Sequence, residues 1–437
     1  MRRLAPARRS RPEGSAAGPL ALATARPVLA AACALLLLAA CTGTKEPRPA
    51  TLLIVGAAPG GSPRLLLVED VTASARPGEP RLVVVPNSAR ALPAPAVALD
   101  LEDRGLERPA AWVLTRRVED AGGAPAVTAY LHRFRVAEVD PADPAAFAED
   151  AGRRVTLTTP GGDGVLDGLS PTSPTTCPTA LQVDRSGSWA VVLDDPARCG
   201  GDEHPEVWLV PLGPDGGEPI ALQATNDVAP LAPYVDQRPV QQVAYFLVGG
   251  ISTTSVYRYV LGQDGSAERL EGVSLPARAE DLAAATGAGD LLLAVADDEL
   301  LAVDLARPGP AVRSGTVDGA VALAADPTGL APEVLALTGA AVAFHEDVQD
   351  GSPDRADRPA VAAAVDPVTR FAYAVGEGRL TVLDLLTGGA TDRSFQAYTE
   401  PLAELVLPSG APSSLVGADA GPVTVIGWVR AKAQAAP

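Results

Sequence analysis

A segment rich in alanine and valine recurs along this chain about every 40 residues. Residues 320–327 read AVALAADP, and residues 360–367 read AVAAAVDP. Residues 181–187, 281–287 and 402–410 belong to the same set. A period of this length indicates that the chain stacks copies of one small unit, each of which buries its apolar face against the next.

Each copy precedes two short apolar runs with a turn between them. The clearest pair, residues 370–375 and 379–385, flanks the turn Gly376-Glu377-Gly378. Two strands joined by a tight glycine turn are typical of a β-hairpin. Several strands per unit predict an all-β fold, a single β-propeller. Alanine and leucine alone favour a helical repeat, which is the alternative. The frequent Gly and Pro residues and the alternating hairpins favour strands.

The number of blades follows from the number of innermost strands. Seven candidates start near residues 97, 180, 232, 282, 321, 361 and 402. An N-terminal hairpin, residues 51–55 and 64–68, brings the number of hairpins to eight. We therefore expect seven blades, with eight as the alternative, and we expect the N-terminal strands to complete the last blade. The propeller is expected to span residues 51–430, with a surface loop near residues 140–144 and a disordered tail at 431–437.

One repeat resembles a known family. Val365-Asp366-Pro367 through Thr387-Gly388 is similar to the repeat of YVTN-type and lactonase-like propellers, in which a D-P-x-G turn leads to a hairpin ending in V-x-D-x-x-T-G. The likeness is good over residues 281–397, fair over 178–275 and weak over 51–175. The resemblance implies the fold and specifies no activity.

The N-terminal region resembles that of a bacterial lipoprotein. The apolar run at residues 27–38 is too short to span a bilayer, and it ends in Leu38-Ala39-Ala40-Cys41, which is similar to a lipobox. The resemblance implies a signal peptide at 1–40, acylation of Cys41 and a flexible tether at 41–50. The protein would then be anchored by lipid in the cell envelope, at the outer membrane in a Gram-negative organism. An ordinary secretory signal cut elsewhere is the alternative.

Four cysteines leave one free pair. Cys33 lies in the expected signal and Cys41 would carry lipid, so Cys177 and Cys199 are expected to form a disulfide in an exported chain. Cys177 lies just before an innermost strand, and Cys199 lies between the second strand (189–193) and the third. Because the chain reverses at each turn, both cysteines should lie on one rim of the ring.

The same rim would carry a cluster of acidic residues. Dense carboxylates on a loop can bind Ca²⁺, but the D-x-D-x-D-G spacing is missing, so a solvated loop is the simpler interpretation. We take this loop as the candidate partner-binding surface. It consists of Asp194, Asp195, Asp202, Glu203 and His204.

The sequence proposes no catalytic centre. His132, His204 and His345 fall in different units, lack metal-ligand spacing and are predicted to be surface residues. The chain contains no G-x-S-x-G, P-loop or C-x-x-C motif, and no cofactor or metal is expected. The net charge of −18 disfavours nucleic acid. We expect a non-catalytic binding scaffold for an envelope protein or a polysaccharide. A lactonase-like hydrolase and a structural component of an envelope assembly are the alternatives.

Overall fold

The chain divides into two units, Met1–Arg48 and Pro49–Pro437. The first unit, Cys41, the expected tether and the C-terminal tail lie outside the described residues. The computed structural model describes residues 51–57, 63–70, 82–102, 109–120, 125–137, 139–140, 142–158, 177–202, 204–213, 219–223, 228–236, 242–249, 252–262, 266–307, 312–326, 334–345, 354–357, 359–366, 371–376, 379–385, 403–406 and 426–430.

The described residues form seven antiparallel sheets, six of which are built from strands consecutive in the chain. Sheet 1 holds β1–β4 with β31, sheet 2 holds β5–β9, and sheet 3 holds β10–β13. These strands are β1 (Thr51–Ala57), β2 (Arg64–Asp70), β3 (Leu82–Val84), β4 (Arg90–Ala91), β5 (Ala96–Leu101), β6 (Ala110–Asp120), β7 (Pro125–Arg135), β8 (Ala148–Glu149), β9 (Val155–Thr158), β10 (Pro178–Val183), β11 (Trp189–Asp194), β12 (Glu206–Pro211), β13 (Ile220–Gln223) and β31 (Ile426–Arg430).

Sheet 4 holds β14–β18, sheet 5 holds β19–β22, sheet 6 holds β23–β26, and sheet 7 holds β27–β30. These strands are β14 (Tyr234–Asp236), β15 (Val243–Gly249), β16 (Thr254–Leu261), β17 (Ala267–Arg269), β18 (Val273–Leu275), β19 (Leu282–Ala288), β20 (Leu291–Ala296), β21 (Glu299–Asp304), β22 (Val312–Thr316), β23 (Ala320–Ala325), β24 (Val334–Thr338), β25 (Val342–His345), β26 (Asp354–Ala356), β27 (Ala362–Asp366), β28 (Phe371–Gly376), β29 (Arg379–Asp384) and β30 (Ala403–Val406). Short 3-10 helices cover Pro144–Ala146, Ala151–Arg153, Pro196–Cys199 and Ala279–Asp281.

One end strand of each sheet contacts the corresponding strand of the next sheet. In order these strands are β5, β10, β14, β19, β23, β27 and β31, and β31 contacts β5 again. Within sheet 1, β1 pairs antiparallel with both β2 and β31, so that Leu53 lies opposite Val68 and Trp428. The prediction that N-terminal strands complete the last unit is confirmed. Sheets of consecutive strands whose innermost strands follow one another in a closed series form a β-propeller.

Six of the seven predicted innermost strands are correct, and the seventh is wrong. The segment near residue 402 forms β30, which pairs with β29 at the outer edge of sheet 7. The innermost strand of sheet 1 is β31 instead. An apolar run of this length pairs equally well at either edge of a sheet. Because β1, β2 and β3 already provide the other strands of sheet 1, the chain needs β30 to finish sheet 7.

The core lies between adjacent sheets. One cluster joins Leu337 and Phe344 of sheet 6 to Val365 and Ala372 of sheet 7. The middle strands are covered on both faces, and all six residues of β28 are buried. In the sequence, strands of this kind are continuous apolar runs and do not show alternating apolar and polar residues. Four innermost strands, β5, β10, β19 and β23, also share a register irregularity near their first residues. The sheets therefore share this local backbone irregularity as well as the same order of strands.

The expected loop near residues 140–144 is at the surface but is anchored below it. Ala142 and Asp143 are exposed, whereas Phe147 is fully buried with its ring centroid 5.5 Å from that of Phe134. The insertion thus contributes to the core. No helix within the described ranges is long and apolar enough to cross a membrane.

Candidate functional site

Cys177 and Cys199 form a disulfide at one end of sheet 3. Cys177 directly precedes β10, and Cys199 ends the 3-10 helix Pro196–Cys199 between β11 and β12. The sulfurs are 1.98 Å apart and the Cα atoms 5.9 Å apart. The predicted pairing of Cys177 with Cys199 is confirmed. The bridge also places the entry to β10 and the β11–β12 connection on one rim, as the strand order requires.

Two of the predicted loop acids are not solvated. Asp194 is the last residue of β11, and its buried carboxylate accepts a hydrogen bond from the backbone N–H of Cys177. Asp195 is also buried, its N–H donates to the carbonyl of Cys177 at 2.9 Å, and its carboxylate lies 3.4 Å from Arg198. Burial raises the pKa of Asp195, although Arg198 opposes the shift. Both acids therefore hold the disulfide loop in place. The prediction that they face solvent is wrong because local backbone groups need their oxygens.

The other end of the loop reaches the surface. Asp202 and His204 are exposed. Glu203 lies outside the described residues. Of the five candidate binding residues, the structure therefore leaves Asp202 and His204 accessible on a loop that the disulfide and the two buried aspartates fix at its base. We call the segment from Asp194 to His204 the rim loop.

A long hairpin from sheet 2 covers the disulfide. Strands β6 and β7 have 11 residues each, compared with 6 in β11 and β12. Val127 of this hairpin is buried in a cluster with both cysteines. Arg116, also from the hairpin, donates from Nη1 to Sγ of Cys177 and to the carbonyl of Pro178, each at 3.1 Å. Burial lowers the pKa of Arg116. Sequence reasoning missed these contacts, and the unusual hairpin length was the available signal.

His132 is fully buried, so its prediction as a surface residue is wrong. Its Nε2 lies 2.9 Å from Oγ1 of Thr115, and its Nδ1 lies 2.8 Å from Oε1 of Glu149. Because an ionised carboxylate only accepts, Nδ1–H donates to Glu149 and Nε2 accepts from the threonine hydroxyl. Burial lowers the pKa of His132, and Glu149 opposes the shift. Burial by itself would raise the pKa of Glu149, but the hydrogen bonds from His132 and Arg154 lower that pKa below the usual value.

This order of hydroxyl, imidazole and carboxylate resembles the arrangement that activates a nucleophile in hydrolases. Thr115 and His132, however, both have no exposed surface. A substrate carbonyl cannot approach the hydroxyl without opening the sheet. In this conformation the hydrogen bonds join β6, β7 and β8, which carry Thr115, His132 and Glu149 respectively.

His345 is the second histidine whose predicted exposure is wrong. It ends β25, it is fully buried, and neither ring nitrogen makes a hydrogen bond within the described part of the chain. Burial lowers its pKa below the ordinary 6.5. The apolar residues before it, Val342 to Phe344, continue a buried strand to its end, which explains why the histidine is enclosed.

An ionic network within sheet 2 lies against the first turn of sheet 3. Glu102 accepts from Nε1 of Trp112 at 2.9 Å and from Nε of Arg133 at 2.7 Å, and Arg133 also reaches Asp150 at 3.1 Å. Gly187, in the turn after β10, lies against this carboxylate with φ of +68°, and a Cβ there would be 2.3 Å from Cδ of Glu102. The turn therefore requires glycine both for its backbone and for its close approach.

No group of three or more His, Cys, Asp or Glu residues is placed to hold a metal ion within the ranges that the structure describes. No family model matches the chain, and no curated protein matches it.

Solved structures show a loose likeness. Sqt1 of Chaetomium thermophilum has 15% identity and a TM-score of 0.42, with 70% of this chain and 74% of that chain covered. Hsv2 of Kluyvelomyces marxianus has 8% identity and a TM-score of 0.39, with coverage of 69% and 76%. A nidogen/laminin complex has 12% identity and a TM-score of 0.35, with coverage of 68% and 89%. We assign the class, a β-propeller, from the strand order and closure of this chain itself.

Proposed function

We propose that this protein is a lipid-anchored propeller of the bacterial cell envelope that binds a partner, without catalysis, through the rim loop. The observation that carries the proposal is that two polar side chains of the loop are buried and stabilise it, while two others are exposed. Asp194 and Asp195 are buried and are engaged by the backbone of Cys177 and by Arg198 respectively, whereas Asp202 and His204 are exposed. The disulfide fixes the base from which they project.

A loop held in this way is suited to recognition. Association loses less entropy when the contacting segment is already ordered, so a bridged loop on a rigid sheet is a good binding element. The net charge of the chain, −18, favours a cationic or hydrogen-bonding partner over nucleic acid. An envelope protein or a polysaccharide is the proposed partner.

Other features support the remaining parts of the proposal. Seven sheets among the described residues and the pairing of β1 with β31 favour seven blades over eight. The lipobox-like residues ending in Cys41 favour a lipid anchor. The burial of Thr115 and His132 favours a binding role over a lactonase-like hydrolase, because the one hydroxyl–imidazole pair in the described ranges is closed to substrate.

The anchor and the rim are tested separately. In the host, Cys41→Ser should release the protein from the membrane fraction or leave an unprocessed precursor, and normal maturation and partitioning would exclude the lipid anchor. For the rim, the native chain, the double variant Asp202→Ala/His204→Ala and the control Asp318→Ala are cross-linked in native membranes. Asp318 is exposed on another sheet connection.

The expected result is a cross-linked partner that the double variant loses and Asp318→Ala retains. A partner captured equally by all three chains would refute the rim as the binding surface. Turnover of lactones or esters by the purified chain would establish the hydrolase instead. Stoichiometric co-purification with a larger assembly, unchanged in the double variant, would indicate a structural component.

A further inference from the structure

The two sulfurs of the disulfide lie in different surroundings. Cys177 is fully buried, whereas Cys199 retains 8% exposure at the end of a 3-10 helix. The guanidinium of Arg116 donates to Sγ of Cys177 at 3.1 Å. The nearby Arg198 instead pairs with Asp195. Both cysteines are thus buried, Cys177 beside a cation, and Cys199 is the residue of the pair that retains some exposed surface.

This asymmetry determines the direction in which the bond can open. In thiol–disulfide exchange a thiolate attacks one sulfur while the other departs with the electron pair, and the better leaving sulfur is the one with the lower thiol pKa. A neighbouring cation stabilises a thiolate. Accessibility therefore favours attack at Cys199, and the guanidinium favours departure of Cys177.

We propose that Cys199 is an S-thiolation site for low-molecular-weight thiols, with Cys177 as the leaving thiolate held by Arg116. The attacking thiolate RS⁻ forms an RS–Sγ bond to Cys199 while the Sγ–Sγ bond breaks and its electron pair goes to Cys177. A second thiol then attacks the RS sulfur, so that RSSR leaves and both cysteines are reduced. The inference concerns sulfur chemistry alone and does not depend on the proposed binding role.

The structure also indicates what moves when the bond opens. The backbone of Cys177 remains held, because its N–H donates to Asp194 and its carbonyl accepts from Asp195. Cys199 is followed by Gly200, whose φ is +87° and where an added Cβ would meet no atom within 4 Å outside its chain neighbours. Opening therefore leaves Cys177 in place against Arg116 and frees the Cys199 end of the rim loop.

The first test uses the native chain. The folded protein is exposed briefly to glutathione, quenched with N-ethylmaleimide at an early stage and mapped by peptide mass spectrometry. We expect glutathione on Cys199 and N-ethylmaleimide on Cys177 in the singly opened species. Glutathione found mainly on Cys177, or equally on both cysteines, would overturn the proposal whatever the variants show.

The second test removes the cation. Arg116→Gln should slow the opening roughly threefold to tenfold, because a neighbouring cation shifts a thiol pKa by roughly one to two units and exchange rates follow about half of such a shift. Arg117→Gln is the matched control, since that guanidinium lies on the same strand but is exposed and pairs with Glu119, and its rate should equal the native one. Arg116→Lys, which keeps the charge, should stay closer to native than Arg116→Gln. Equal rates in native chain and Arg116→Gln, with circular dichroism showing both folded, would refute the role of Arg116.

Discussion

Replacement of His345 by leucine should stabilise this protein. The imidazole is fully buried, and neither nitrogen has a hydrogen-bond partner among the described residues. A buried polar group without a partner costs roughly 1–3 kcal/mol of desolvation that an apolar side chain of similar size avoids. His345→Leu should therefore raise the free energy of unfolding by roughly 1–3 kcal/mol at pH 7.5.

The gain should grow at lower pH. Burial lowers the pKa of His345 in the folded chain below 6.5, so the folded state binds this proton less readily than the unfolded state. The free energy of unfolding is at its full value above the unfolded pKa of about 6.5. It falls as the pH drops below that pKa, because the unfolded chain then binds a proton that the folded chain does not. Between pH 7.5 and 5.5 this histidine should remove up to about 1.4 kcal/mol from the native chain and nothing from His345→Leu.

Urea unfolding followed by circular dichroism at pH 7.5 and 5.5 measures both effects. His204→Leu is the matched control, because His204 is exposed and its replacement should leave the free energy of unfolding within about 0.5 kcal/mol of native. The difference between variant and native chain at each pH removes the contribution of carboxylates common to both.

Two results would refute this reasoning. If His345→Leu is less stable than the native chain at both pH values, the imidazole makes a favourable interaction in the folded state. If the gain is the same at pH 5.5 as at pH 7.5, the folded chain accepts the proton as readily as the unfolded one.

Two further substitutions probe contacts between sheets. Gly187→Ala should destabilise the chain by about 1–3 kcal/mol more than Gly200→Ala. Both glycines have positive φ, but only a Cβ at position 187 meets the buried Glu102. Equal losses of stability in thermal unfolding would show that the Glu102 side chain moves aside at little cost. Tyr373→Phe should cost roughly 1–3 kcal/mol, because the tyrosine hydroxyl of sheet 7 donates to the buried carboxylate of Asp70 in sheet 1 at 2.8 Å; an unchanged urea midpoint would mean that the bond contributes nothing net.

Local sequence signals located most of the strands. The hairpin of β28 and β29 follows from two apolar runs around a glycine turn, and the disulfide follows from cysteine number and strand order together. The same signals failed at β30, whose sequence fits an innermost strand but which pairs as an outer one. Whether a strand becomes the innermost or the outermost strand of a sheet depends on which other strands pair in that sheet. For sheet 1 those other strands lie some 350 residues before β30, at the N-terminus.

Side-chain environments were harder to predict than strands. Asp194 and Asp195 read as solvated acids because neighbouring residues in the chain are polar, yet both are buried by the disulfide loop that they stabilise. His132 carried no local signal that distinguished it from a surface histidine, whereas His345 follows the apolar run Val342 to Phe344, which the absence of metal-ligand spacing led us to overlook. Their burial arises from residues on neighbouring strands and sheets.

The sequence by itself determined the all-β repeat, the approximate position of most innermost strands and the cysteine pair, because periodicity and turn chemistry act over a few residues and recur about every 40 residues. Only the tertiary structure decided that β31 and not β30 is the innermost strand beside β1, the burial of two histidines and the contact of Arg116 with Cys177. These features join residues far apart in the chain, and a side chain's charge, hydrogen bonds and access to solvent depend on the neighbours that folding brings to it.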